Sequence, residues 1–443
     1  MPIPSLAELD RESWLHPFSP LPVPGRSDPL AIVEGRGARV RDANGRWLLD
    51  AMAGLWCVNA GHGRREIADA MAEQAGRLAY THGFAGAVNE PAVRLAAKLL
   101  ELAPVPMARV FFASSGSEAN DTQLKLIWQV QHLRGKPEKR KILGRRRGYH
   151  GSTVAAASLT GLPYVHAGFG LPLPGFLHVS PAHWPGGAAP DESERAYAAR
   201  LAAELDLVIA REGPETVAAF FAEPVMGAGG VLVPPESYFT AIQPVLREHD
   251  VLLVADEVIC GFGRLGRWFG SQRFEIEPDL ITVAKGLTSG YAPLSACLVS
   301  QPLVDVLASG TAELGAFNHG YTYSGHPVAA AAGLANLAIF EREKLVERAA
   351  ETGERLQRLL REACAGHPAV REVRGVGMIA AVEPREPDDA KRMQARLLDD
   401  GVLTRAVGGA VAMSPPLTFS EGEVDELVGA LRRGLDSLSG ARP

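Results

Sequence analysis

Residues 251–286 read VLLVADEVICGFGRLGRWFGSQRFEIEPDLITVAKG. An apolar run, Val251–Ala255, stops on Asp256, and a second, Leu280–Ala284, stops on Lys285. Short apolar runs closed by a charge have the pattern of buried parallel strands whose carboxyl ends open onto a site. The pattern predicts a carboxylate and a primary amine at one edge of a sheet. Pyridoxal 5'-phosphate (PLP) chemistry uses that pair: the amine bonds the cofactor's aldehyde and the acid partners its pyridine nitrogen. Lysine offers its amine on a flexible stem. An aspartate at the ring nitrogen favours the pyridinium, which draws electrons from the reacting carbon. Taken singly, Asp256 also reads as a structural strand-end carboxylate and Lys285 as a solvated charge. The loops described below weigh against that.

The same stretch spells GxGxxG at Gly261, Gly263 and Gly266, the pattern of a dinucleotide-binding turn. Residues Glu257–Cys260 separate these glycines from the strand-end Asp256, and no Ala-rich helix follows to seat a pyrophosphate. Asp279 opens the next strand, whereas a ribose-binding acid closes one. The glycines are expected to form a loop.

Working outward, the chain has 443 residues, 47% hydrophobic and 22% charged, with a net charge of −6. That is an ordinary globular composition with room for a large core and more than one lobe. The basic cluster Arg145–Arg147 is too short to argue for nucleic acid. Cys57, Cys260, Cys297 and Cys364 form no CxxC, and no HExxH appears, so neither a metal site nor a disulfide framework is expected. The N-terminal MPIPSLAELDRESWLHPF lacks a basic region followed by an apolar core, which argues against a signal peptide. The apolar run Val328–Phe340 is broken by Asn336 and is shorter than the ~18 residues a membrane span needs. A soluble, cytoplasmic enzyme is the expectation.

Residues 1–30 are rich in proline and predict an irregular surface arm. Arg36–Asp50 alternates around Asn44–Gly45, a hairpin signal. Ala53–Gly63 then reads as a loop that presents Trp56 as a pocket wall. Pro91–Leu102 has helical periodicity, and Val110–Ala113 reads as a short strand. SSGSEAND then opens a helix running to Leu133. Ser115, Gly116 and Ser117 at its start offer N–H groups, hydroxyls and a dipole end to a phosphate; a plain serine cap is the commoner alternative. RGYHGST places Tyr149 and His150 in a glycine-bounded turn, where an aromatic ring could stack on a flat ligand. The strand Thr216–Ala222 closes on Glu223, before the loop that holds Ala228, and Leu294–Ser300 reads as a further strand. Phe317–Pro327 is too polar and glycine-broken for core, and its Thr322 and Ser324 are candidate phosphate donors. From Val328 the pattern turns to long helices, then a strand pair, a helix and VLTRAVGGAVAMSPPL. Ser420 with Glu423 forms a capping box ahead of the last helix. The expected division is an arm and part of a small domain over 1–60, a large domain over 61–330, and a small C-terminal domain over 331–443.

The ordered motifs GLWCVNAGHG, SSGSEAND, GYHGST, EPVMGAGGV, LLVADEVICGFGR, DLITVAKGL, NHGYTYSGHP and RAVGGAVAMSPPL resemble the class III (omega) aminotransferases of PLP fold type I. The likeness covers nearly the whole chain and is greatest to amine:pyruvate transaminases. It implies an α/β fold: a large domain with a mainly parallel sheet flanked by helices, plus a small α+β domain from both termini. It implies Lys285 as the Schiff-base lysine and proton shuttle, with Asp256 on the pyridinium. Tyr149 would stack on one ring face and Val258 on the other, with His150 and Glu223 also at the cofactor. Ser115, Gly116 and Ser117 would bind the phosphate, joined by Thr322 of the neighbouring subunit, so that the site belongs to a homodimer or tetramer. Phe18, Leu55, Trp56, Tyr149 and Phe84 would line the amine pocket, Phe84 from the partner chain. Arg405 matches a mobile arginine that pairs with a substrate carboxylate.

One position departs from many class III members. Those acting on ornithine or 4-aminobutyrate carry a glutamate in the loop after Glu-Pro, where it neutralises the mobile arginine; here that residue is Ala228. The substitution leaves room for an uncharged, bulky amine and argues for pyruvate over 2-oxoglutarate as acceptor. Three other readings stay open: an aminomutase, a decarboxylating aminotransferase, and a non-catalytic PLP-binding protein.

Overall fold

In the computed structural model, which describes residues 5–20 and 29–439, a seven-stranded sheet organises the large domain. Its order is Arg109–Ala113, Ser295–Val299, Leu280–Val283, Leu252–Asp256, Val217–Ala222, Lys141–Arg145, Phe176–Val179. The last five are parallel, and Ser295–Val299 runs against both of its neighbours. Val217–Ala222, Leu252–Asp256 and Leu280–Val283 are buried at every position, so their apolar residues run on rather than alternate. Asp256 pairs in register with Thr282, which brings the carboxyl ends of these two strands to one edge. Gly261, Gly263 and Gly266 lie in turns between the strands, as expected.

The small domain takes strands from both ends of the chain. Ile32–Arg36, Arg39–Asp42 and Trp47–Asp50 form an antiparallel set, and Val402–Leu403 joins it in parallel, with Val402 opposite Leu49. The turn at Asn44–Gly45 forms because Gly45 takes a φ of 85° and the Asp42 carboxylate accepts from the N–H groups of Asn44 and Arg46. A second sheet, Val370–Val376, Ile379–Pro384, Ala410–Met413 and Arg405–Val407, carries Arg405 on its edge strand. Leu345–Cys364, Asp389–Asp399 and the Ser420-capped helix Glu421–Ser439 accompany it. The helix Pro327–Arg342 runs unbroken across residue 330 and packs on Arg65–Arg77 and Glu90–Leu102. The boundary expected at 330/331 therefore falls inside a helix.

Two local expectations differ from the structure. The arm is not wholly irregular: Leu6–Ser13 is a helix, closed by a capping box between Ser5 and Glu8 that the sequence spells as S-x-x-E. Residues 1–4 and 21–28 of the arm lie outside the described residues. The Trp56 segment is not a plain loop either; Ala53–Trp56 makes a helical turn, kinked at Gly54 and Leu55. No helix of the described residues is long and apolar enough to cross a membrane.

Candidate active site

A cleft of about 240 Å³ opens where Leu252–Asp256 and Leu280–Val283 end, and both Asp256 and Lys285 line it. Asp256 is 3% exposed, and its Oδ2 accepts from His150 Nδ1 at 2.8 Å and Asn120 Nδ2 at 2.9 Å. The Asn120 amide is fixed in turn, since Nδ2 also donates to the His150 carbonyl and Oδ1 accepts from the Thr282 hydroxyl. Asp256 is thus a held, buried carboxylate rather than a solvated one. Lys285 follows its strand after one residue, Ala284, in a left-handed conformation with φ 47°, and its Nζ stands 6.0 Å from the centroid of the Trp56 ring. Asn120 was missed by sequence reasoning; its signal was a polar residue inside SSGSEAND, on the helix that faces the strand ends.

Gly116 and Ser117, at the start of the helix Gly116–Leu133, form another wall of the cleft. The first N–H groups of a helix have no partner within it and suit an anion. Ser115 is the helix cap, accepting from Glu118 N at 3.2 Å, and stands outside the lining. The approach is kept open by missing side chains. A Cβ on Gly116 would sit 3.1 Å from Val258 Cγ2, and one on Gly151 would sit 2.6 Å from Ser117 Oγ. Val258 and Tyr149 both line the cleft, Tyr149 with its hydroxyl 3.0 Å from Ser152 Oγ. Glu223 reaches it as well, but its two oxygens accept from Tyr149 N and Gly227 N, so it braces the loops around the cleft. Burial pushes the Glu223 carboxyl above its ordinary range.

Phe18, Leu55, Trp56, Ala228 and Arg405 line the same cleft. The Arg405 guanidinium carbon is 5.9 Å from the Trp56 ring centroid, and no carboxylate of the described residues pairs with it. Tyr164, absent from the sequence expectations, also lines the cleft while remaining 61% exposed; partial desolvation raises its phenol pKa and the Arg405 charge opposes the rise. Nothing in the local pattern LPYVH marks it, because its place depends on tertiary packing. Phe84 and Thr322 lie outside this cleft and near each other's segments. Phe84 lies about 3 Å from where a Gly320 Cβ would sit, and Tyr80 Oη donates to the Thr322 carbonyl at 2.8 Å. Tyr80, Phe84 and Tyr323 are exposed there.

Behind Asp256, Glu257 is fully buried and accepts from the N–H groups of Gly270 and Ser271 and from the Ser271 hydroxyl. Burial outweighs these donors and raises its pKa from 4.5 to about 7. An acid whose folded-state pKa lies above its unfolded value weakens the fold as pH rises, because the unfolded chain releases the proton first. The cost grows from pH 4.5 and is complete above about 7. It amounts to roughly 3 kcal/mol. The Tm difference between wild type and Glu257→Gln is therefore expected to shift in favour of the variant across that window. A difference that stays constant with pH contradicts it.

The residues present suit PLP. A buried, hydrogen-bonded carboxylate faces the cleft beside a primary amine, a helix N-terminus offers N–H donors, and two glycines leave the volume a Cβ would fill. Known proteins agree. An omega transaminase from Pseudomonas jessenii in complex with PMP superposes with a TM-score of 0.97 at 46% identity, covering 99% of both chains. Diaminobutyrate–2-oxoglutarate transaminase from Halomonas elongata is 46% identical over 96% of this chain and 93% of its own. Putrescine–pyruvate aminotransferase from Pseudomonas aeruginosa is 43% identical over 98% and 96%. The sequence model of the class-III aminotransferases matches residues 23–435. The chain is an aminotransferase of that class, with PLP as its cofactor, and belongs to the class-III aminotransferase family.

Proposed function

We propose that this aminotransferase moves the amino group of a primary amine or omega-amino acid to pyruvate, yielding an aldehyde or ketone and alanine. The observation that carries the reading is Arg405, a guanidinium without a carboxylate partner among the described residues, in the same cleft as Lys285 and Ala228. The names of the two relatives carry different acceptors, 2-oxoglutarate and pyruvate. Ala228 is the residue that favours pyruvate here, since it places no acid beside the arginine.

PLP, when bound, supplies the electrophilic carbon and the electron sink for amino-group exchange. Lys285 Nζ, the one amine among the described residues lining the cleft, would hold the cofactor's aldehyde carbon and would serve as the proton carrier for the exchange. Asp256, oriented by Asn120 and His150, would partner the cofactor's ring nitrogen. Gly116 and Ser117 would hold the phosphate, and Tyr149 and Val258, which line the same cleft, would bracket the ring. Leu55, Trp56 and Phe18 exclude water and contact the apolar part of the donor. Arg405 swings toward the cleft for the acceptor's carboxylate and away for an uncharged amine, a motion suited to a bidentate group on a flexible stem.

The site is read as shared between two copies of the chain. Phe84 and Thr322 sit together on a surface rich in exposed aromatics and outside their own cleft, which supports their serving a partner's. One dilution series, following mass and product together with a carboxylate-free amine as donor, tests both parts. Alanine should form from pyruvate in the assembled protein and stop when it dissociates. A fully active monomer rules out the shared site, and glutamate formed from 2-oxoglutarate faster than alanine from pyruvate rules out the acceptor.

A further inference from the structure

Asn336, noted in the sequence only as a break in an apolar run, is completely buried in the helix Pro327–Arg342. The buried face around it is otherwise Ala329, Ala330, Ala332, Leu337, Ile339 and Phe340. An amide in such a place is tolerated only where its groups are hydrogen-bonded. Its Nδ2 donates to the Gly286 carbonyl at 2.9 Å and the Leu287 carbonyl at 3.0 Å, and its Oδ1 accepts from the Ser289 hydroxyl at 2.6 Å. All three partners lie within the four residues that follow Lys285.

That turn needs holding. Lys285 and Ser289 both take positive φ, 47° and 48°, a region that residues with side chains seldom occupy and that persists where surroundings over-determine it. The other side of the turn is closed by Asn59. A Cβ on Gly286 would lie 2.6 Å from Asn59 Nδ2, which itself donates to the Phe262 carbonyl at 2.8 Å. Ser289 Oγ also accepts from Ala60 N at 3.0 Å, so the Asn336–Ser289 contact extends to the segment that carries Trp56.

We propose that Asn336 is a positioning residue for Lys285, holding the left-handed turn that aims the amine into the cleft. The inference rests on the reading of Lys285 as the cofactor-bonding lysine. Asn336→Leu keeps the branched shape and the number of heavy atoms and removes every hydrogen bond. A displaced reacting group about 1 Å out of place loses roughly 100-fold in rate, so kcat is expected to fall by about that factor with KM for both substrates little changed. Apoenzyme mixed with PLP should form the borohydride-trappable bond more slowly by a similar factor, and amide exchange at 286–288 should quicken. Ser289→Ala, which leaves both Asn336 donors in place, should show smaller changes of the same kind and decides the matter if Asn336→Leu does not fold. Wild-type capture rates in these variants, with only Tm lowered, overturn the inference. Mapping the trapped group in the wild type separates the two readings: a label on another lysine overturns the assignment of Lys285 itself.

Discussion

Lys285→Ala is expected to abolish transamination and to leave no borohydride-trappable cofactor, while the protein still folds. The side chain lies half-buried at the cleft rather than in the core, so its truncation opens no large cavity. Its two assigned tasks, anchoring the cofactor and moving the proton, have no substitute nearby. Among the described residues lining the cleft, Lys285 is the only lysine. Loss of the proton-transfer role alone removes on the order of 10²- to 10⁴-fold. Circular dichroism and thermal melting establish folding, and turnover with amine and pyruvate supplies the rate. Activity within tenfold of wild type sinks the assignment.

Arg405→Ala is the second large effect, and it is expected to be one-sided. Truncating one partner of a buried, hydrogen-bonded charge pair typically loses about 2–5 kcal/mol. At about 1.4 kcal/mol per decade, that is roughly a 30- to 3,000-fold fall in kcat/KM for pyruvate. The half-reaction with a carboxylate-free amine uses no such pair and should change little. The guanidinium stands over the Trp56 ring with no acid to hold it, so its removal breaks no ion pair among the described residues. Stopped-flow spectra of the two halves measured separately give the comparison. Equal losses in both make Arg405 a structural residue.

The fold's central features were legible because each follows from a local rule. Val251–Ala255 and Leu280–Ala284 are short, mostly apolar and closed by a charge, the pattern of strands covered on both faces, and Leu252–Asp256 and Leu280–Val283 are such strands. Asn44–Gly45 fixes its hairpin by turn chemistry, and Ser420–Glu423 its helix start by capping. What escaped depends on partners far along the chain. The strand Ser295–Val299 carries no mark of its reversed direction, since apolar composition is blind to polarity. Leu6–Ser13 was hidden by surrounding prolines although its capping box was present. Asn120 and Tyr164 reach the cleft, and Asn336 the Lys285 turn, only after the elements pack. Phe84 and Thr322 were tied to a neighbouring chain by resemblance alone, and the single chain leaves both outside its own cleft.

In the proposed function, a small keto acid's one carboxylate meets the Arg405 guanidinium, which has no carboxylate partner among the described residues. The direct measurement is a single turnover in the wild type: bleach the visible band with a carboxylate-free amine, remove the amine, then add pyruvate or 2-oxoglutarate at equal concentration. The band should return faster with pyruvate, with alanine formed in equal amount. A faster return with 2-oxoglutarate, with glutamate as product, contradicts the account.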